Sequence, residues 1–492
     1  MHTQYAVSAT ASREKALGVR ETWRRIWNRR SATAAVVTAV AAIALVASSS
    51  ARAQTTIGSR DTAAYITVAG DTLYEVAQRY LSDVGDWRAL ARLNHVSAPR
   101  LLPAGMTLRL PLALLRRDSM PVSVVALSGL VTARLRHRAP DGPAAPAVPL
   151  LAGRTLGEDD MVSTGANGFA TLELEDGSLV SLTPNSSIVL SILRKMALTG
   201  IEDRVIELER GEVTNEVTHA KHPDDRFEVR TPSIVAGVRG THFRVNETPS
   251  MTAVEVLDGT VAVGADDASR GKADRKADVQ RFVGAGQGSA TPSGGAVGAP
   301  VALLPAPRLV DPAKVQAGRV VTFNLEPASG ASGYRVQIAR DADLLDLIRD
   351  ARVQAPTATF SDVPDGTYFV CISSIGANGL EGLTRVYAFE RRANELSASA
   401  APRALSHEYR FAWRTSRADA TTRFRLVLSR YQDLRDPIVD AVDLTSASLV
   451  VSDLPAGDYY WRVVSEQYDH GRFYETMGPV SSFVLATPGA HE

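Results

Sequence analysis

Across residues 205–263 apolar and polar side chains alternate with a period of two, in runs short enough to be half-buried strands. VIELERGEV, FEVRTPSIVAGVRGTHFRVN and TAVEVLDGTVAV carry the pattern. Gly211 is expected to close the first run as a turn. Thr231-Pro232 is expected to end the second, because proline cannot donate to a central ladder. Val235 to Val238, Phe243-Arg244-Val245 and Val254-Glu255-Val256 repeat the alternation, with glycines at 237, 240 and 259 read as breaks between strands. The expectation is a compact antiparallel β unit.

The period changes upstream. Tyr65-Ile66-Thr67-Val68 reads as a short strand, and Gly70-Asp71-Thr72-Leu73 as a turn into a helix. Asp71 is placed to cap that helix by accepting from its first free amides. Leu73, Val76, Ala77 and Tyr80 then fall on one helical face. Asp86 is placed to cap a second helix carrying Trp87, Leu90, Ala91 and Asn94. Pro103-Ala104-Gly105 turns into a strand, Thr107-Leu108-Arg109-Leu110, stopped by Pro111. The order is βααβ.

This unit resembles a LysM domain over residues 65–111, on the GDTL turn, the Trp–Leu–Asn spacing and the closing Leu–x–Pro. The resemblance implies a shallow groove for N-acetylglucosamine-containing glycan, hence peptidoglycan as partner. It implies glycan-binding residues Gly70, Asp71, Thr72 and Leu73 on one loop, and Leu101, Leu102 and Pro103 on the other. Asp71 as a cap and Leu73 as a core residue are the structural alternatives, and Trp87 reads as a core aromatic.

The β unit resembles the FecR family over residues 122–288. Thr231-Pro232, Val238-Arg239-Gly240-Thr241, Phe243 and Val245 form the central motif. Thr164-Gly165, Asp176-Gly177-Ser178 and Pro184-Asn185-Ser186 flank it upstream, and Asp258-Gly259-Thr260-Val261 and the closing GAGQG downstream. The resemblance implies an all-β periplasmic domain used in signalling or as an envelope module, without catalysis. Gly177, Gly240 and Gly259 read as turn or bulge glycines. Arg239 and His242 either face a partner or lie at solvated strand edges.

Residues 305–486 hold an internal repeat. Asp362-Val363-Pro364-Asp365-Gly366-Thr367-Tyr368 returns as Asp453-Leu454-Pro455-Ala456-Gly457-Asp458-Tyr459, 91 residues on. Phe323 answers to Trp413, and Tyr334-Arg335-Val336 to Phe424-Arg425-Leu426, at an offset of 90. Units of that length with short alternating strands resemble fibronectin type III domains, here 305–392 and 401–486. Trp413 and Trp461 are expected in their cores.

A chain of 492 residues exceeds one core, so several domains are required. The fold class expected is mainly β and multidomain: a small βααβ module, an all-β domain and two C-terminal β-sandwiches. A glycine-rich stretch at 289–304 reads as a flexible linker. No helix follows it, as a phosphate-cradling loop would need. Residues 138–149 and 266–278 read as loops.

Lys+Arg and Asp+Glu are equal at 54 each, so no global charge favours nucleic acid. Cys371 is the single cysteine and sits in a strand pattern, which excludes an internal disulfide and reads as a buried thiol. His219, His222 and His242 lack a recognised ligand spacing, so no metal or other cofactor is expected. No H-E-x-x-H, catalytic cysteine or Ser/His/Asp order is present, and no catalytic residue is assigned. Paired carboxylates of a glycosidase stay open.

Arg24, Arg25, Arg29 and Arg30 precede an Ala/Val/Ile run, then Ala51-Arg52-Ala53. This is the pattern of a secretory signal peptide over 1–53, with an uncleaved anchor as the alternative. The expected location is the periplasm or cell envelope. The function expected is a non-enzymatic envelope protein. The alternatives are a FecR-type transmembrane regulator, for which residues 1–23 are short and featureless, or a peptidoglycan hydrolase or its accessory.

Overall fold

The computed structural model describes residues 61–135, 146–265, 280–403, 408–417 and 420–485. The signal-peptide reading, most of the 138–149 loop and the 266–278 loop fall outside the described residues.

The strand Glu202–Val217 joins the two sheets of a closed β-barrel. Its first half pairs with Ser187–Met196 and Arg226–Arg230, its second with Leu179–Leu182 and Thr241–Glu247. Ile206 and Leu208 enter the core before Gly211, but Val213 and Val217 after it. The inward face therefore changes from even to odd positions. The shift falls at Glu209 and Arg210, which stand against the single step Ser187–Ile188, and Gly211 follows at positive φ (+81°) inside a continuous strand rather than as the turn expected there. Gly237, expected as a break, instead lies inside Ile234–Val238 and pairs on both sides. Gly240 and Gly259 do sit between strands at positive φ. The unit is not wholly antiparallel either, since Glu202–Val217 and Arg226–Arg230 run parallel.

The polar motif residues tie this barrel together. Asp176 accepts from Ser178 N and Oγ (3.1 and 2.7 Å), from Thr218 Oγ1 (2.7 Å) and from Arg204. Thr164 Oγ1 donates to Thr183 O (2.6 Å) and accepts from Ser186 N (2.9 Å). Ser186 Oγ accepts from Glu212 N (2.9 Å) and donates to Glu212 O (3.1 Å), satisfying the backbone beside the bulge. Val122, Val180, Leu182, Ile188, Phe227, Phe243 and Val261 fill the interior. The stretch read as a linker at 289–304 contributes to the barrel: Gln287–Pro292 pairs with Met251–Asp258, and Val301–Ala302 pairs with Gln287 and Gly288.

The C-terminal sheets resemble β-sandwiches, each with its own aromatic core. The repeat is structural. Asp362 and Asp453 both take positive φ (55° and 59°), and Tyr368 and Tyr459 are both buried behind the turn. Trp413 and Trp461 lie in the second core, and Cys371 is buried in the first sandwich's strand Gly366–Gly376.

Neighbouring modules share buried contacts. Met196 and Leu198 of the barrel pack on the core of the N-terminal module, and Arg116 N donates to Tyr80 O (2.8 Å). Arg392 of the first sandwich donates to Gln467 of the second (2.7 Å).

Candidate functional site

The strands Thr62–Ile66 and Thr107–Pro111 pair antiparallel around the helices Leu73–Tyr80 and Trp87–Leu93. Leu73, Val76, Ala77, Leu90, Leu102, Leu108 and Leu110 form the core, with Trp87 packed against it. The first helix is capped by Thr72, not Asp71. Thr72 Oγ1 accepts from Glu75 N (3.1 Å) while Thr72 N donates to Glu75 (3.0 Å), a reciprocal capping box. The T-x-x-E spacing was the available signal for it. Asp86 makes no side-chain cap; Asp83 instead accepts from Gly85 N (2.7 Å). Asn94 bridges to the last strand, accepting from Arg109 N (2.7 Å) and donating to its carbonyl (2.9 Å).

Asp71 turns inward and joins the loop to strand and helix. It accepts from Val68 N (2.8 Å) and Tyr65 Oη (2.7 Å), with Arg79 at 3.6 Å. Desolvation pushes its pKa up, but those hydrogen bonds and the Arg79 charge outweigh it and hold the carboxyl below its ordinary value.

The two loops expected to form the groove are brought together. Leu73 N donates to Pro99 O (2.9 Å), Leu102 N to Asp71 O (3.2 Å) and Thr67 Oγ1 to Pro103 O (2.5 Å). Of the seven expected residues, Gly70, Leu101 and Pro103 are exposed and Thr72 is half-buried. Asp71, Leu73 and Leu102 lie beneath them, less than 5% exposed. Ile66, Val68 and Tyr74, which the sequence reading did not single out as binding residues, are exposed on the same loops or their flanks. Exposed apolar side chains beside backbone polar groups suit a sugar's acetyl and hydroxyl groups.

On the barrel, Arg239 is exposed beside an open trough of about 550 Å³ also lined by Arg226, Glu228, Gly237, Ala262 and Phe282. His242 lies instead in a cleft of about 80 Å³ against the first sandwich. Desolvation and Arg244 lower its pKa, against Glu216 and Asp258. Among the described residues no cluster of His, Cys, Asp and Glu could hold a metal ion.

Two family models match this chain: LysM domain over residues 65–111 and FecR protein over residues 160–262. The chain thus carries a LysM domain followed by a FecR-like domain. No curated protein matches it. A solved structure described as a "putative anti-sigma factor" from Parabacteroides distasonis is 19% identical with a TM-score of 0.22. The match covers 29% of this chain and 59% of that one, so the chain spans about three fifths of that structure's length. The chicken CNTN1 FN1–FN3 domains (12% identical, 50% of this chain and 97% of that one) score 0.19. So do the fibronectin(III)-like modules of Clostridium thermocellum CbhA (14% identical, 38% and 100%). TM-scores this low establish no common fold across the chain.

Proposed function

We propose that this is a non-enzymatic cell-envelope protein that binds peptidoglycan through its LysM domain and presents the FecR-like barrel and β-sandwiches to a protein partner. The LysM match, with Gly70, Thr72, Leu101 and Pro103 left accessible on two loops pinned by backbone hydrogen bonds, carries the reading. The groove accommodates only a few sugar units, so affinity is on the order of micromolar to millimolar. Equal numbers of acidic and basic residues over the chain argue against a purely electrostatic hold, so binding should survive moderate salt. The protein works in the periplasm after export.

The test is co-sedimentation of the full chain with insoluble peptidoglycan at low and raised salt. Wild type should sediment at both, and Leu101→Asp should lose about tenfold in affinity, since Leu101 is 75% exposed and its replacement leaves the core intact. A wild type left in the supernatant refutes glycan binding. Release of soluble muropeptides revives the hydrolase reading. The FecR match favours the second reading, a transmembrane signalling regulator. Crosslinking in whole cells to a cytoplasmic sigma factor would support it.

A further inference from the structure

The outer face of the barrel is covered by the first sandwich along a buried ionic seam. Glu212, Arg244 and Glu255 on three adjacent barrel strands meet Arg335 and Glu381 of the sandwich, and all five are less than 5% exposed. Arg335 donates to Glu212 (2.5 Å), Glu381 (2.7 Å) and Asp350 (2.5 Å). Arg244 donates to the Glu381 carboxylate (2.7 Å) and to the carbonyls of Glu381 and Gly382 (2.9 and 2.8 Å). Arg352 donates to Glu212 (2.5 Å), Ser373 to Glu381 (2.8 Å) and Gln337 to Asp350 (3.2 Å).

Four carboxyl groups, Glu212, Glu255, Asp350 and Glu381, therefore share three guanidinium groups, Arg244, Arg335 and Arg352. Glu212, Asp350 and Glu381 each accept from at least one guanidinium. Glu255 accepts from none. Its nearest cation is Arg244 Nε at 3.8 Å, and that nitrogen has no hydrogen-bond partner. Its hydrogen bond is from Glu381 N (3.1 Å). Across the strands it lies opposite Arg244 on one side and Gly288 on the other, where Leu303 and Leu380 close over the backbone. His242 and Glu216 lie further along the same face, in the cleft that Arg244, Arg335 and Gln337 also line.

We propose that Glu255 carries a proton in the docked protein, and that its loss as pH rises past neutrality weakens the seating of the first sandwich on the barrel. Protonation leaves three carboxylates against three guanidiniums, a neutral set in which Arg352, its side chain 40% exposed, stands at the rim. Burial, with Glu381 and Glu212 adding to it against Arg244, raises the Glu255 pKa from 4.5 to about 7. A carboxyl raised in the docked state binds its proton more tightly there than when freed. Its contribution is complete below about 4.5 and is lost as pH rises through about 7. Between pH 5 and 8 the docking constant should fall by up to roughly 10²-fold. Glu381 behaves oppositely: burial is outweighed by Arg244, Arg335 and Arg352, which hold it ionised throughout.

The experiment is hydrogen exchange of the full chain from pH 5 to 8, corrected for intrinsic rates, read in Met251–Asp258 and Glu381–Arg391. Wild type should open up to ~10²-fold more readily at the alkaline end. Glu255→Gln should be flat and keep its acid-end protection at pH 8. Glu381→Gln should be less protected at acid pH and should lose its remaining protection at lower pH than wild type, because the Glu381 charge helps raise Glu255 and its removal leaves three carboxylates for three guanidiniums. A Glu255→Gln profile that follows wild type overturns the proposal, as does a Glu381→Gln profile whose pH midpoint is unchanged from wild type. Infrared difference spectra of wild type labelled at glutamate stand independently of any variant. A buried protonated carboxyl band at pH 5 that disappears by pH 8 supports the proposal, and its absence overturns it.

Discussion

Replacing Gly211 by alanine tests the strand that changes sheets. At φ +81° an L-residue costs about 1–2 kcal/mol in the left-handed region. A Cβ there would also stand 2.5 Å from Ser186 Cα, which is backbone and cannot swing aside. If the strands separate, the two hydrogen bonds between Ser186 Oγ and the Glu212 backbone are lost, about 1 kcal/mol each. Gly211→Ala should therefore destabilise the barrel by about 3–4 kcal/mol. Gly70→Ala is the matched control: φ is +93°, but nothing lies within 4 Å, so only the conformational cost of about 1–2 kcal/mol applies, within the LysM domain. The assay is hydrogen exchange across a urea series, which reads each module separately where a single unfolding transition would not. A Gly211→Ala cost no larger than that of Gly70→Ala would refute the close-approach argument.

Three more outcomes are expected. Gly240→Val should cost at least 1–3 kcal/mol by the same exchange measurement in the barrel, because φ is +88° and a Cβ would sit 2.9 Å from His219 Cα. Thr72→Ala should cost the LysM domain about 1 kcal/mol through loss of the cap, while Thr72→Ser keeps most of it; equal effects would mean the capping box contributes nothing. The Cys371 thiol, pushed up to about 12 chiefly by burial, should resist alkylation at pH 8 until the first sandwich opens, as measured by mass shift with and without urea.

Much of the fold was legible because strand alternation, the helical face at 73–80 and the 91-residue repeat are local patterns. The loops of the LysM domain were legible as a pair only through the family resemblance, since 70–73 and 101–103 are distant in sequence and meet through Leu73 N–Pro99 O and Leu102 N–Asp71 O. Alternation was less informative about glycine. Gly211 and Gly259 look alike along the chain, yet one lies beside a bulge within a strand and the other turns between two, depending on whether a partner strand continues alongside. At Asp71 and Thr72 two adjacent residues both qualify as caps. The hydrogen-bond demand of Val68 N and Tyr65 Oη draws Asp71 inward and leaves the cap to Thr72. Residues 289–292 read as linker because Gly288 leaves no side chain to carry the alternation into them, yet they continue the strand Gln287–Pro292; Leu303 and Leu380 pack where that side chain would be.

The ionic seam shows the limit of periodicity most clearly. Phe243-Arg244-Val245, Val254-Glu255-Val256 and Tyr334-Arg335-Val336 each place one charge between two inward apolar residues, the signature of a water-facing strand surface. Alternation identifies the face turned from the core, but not what covers it. Here another module covers it, and Arg335 and Glu212 meet across 123 positions of chain. Buried, these charges fix which surfaces can meet, because either module docked elsewhere would leave carboxylates and guanidiniums without partners. Leu101 stands in a different module from the seam. Leu101→Asp should therefore alter sedimentation with peptidoglycan without changing exchange along the seam, and Glu255→Gln should do the reverse. If Glu255→Gln also releases the protein from peptidoglycan, glycan binding depends on the docked arrangement and the two modules do not act independently.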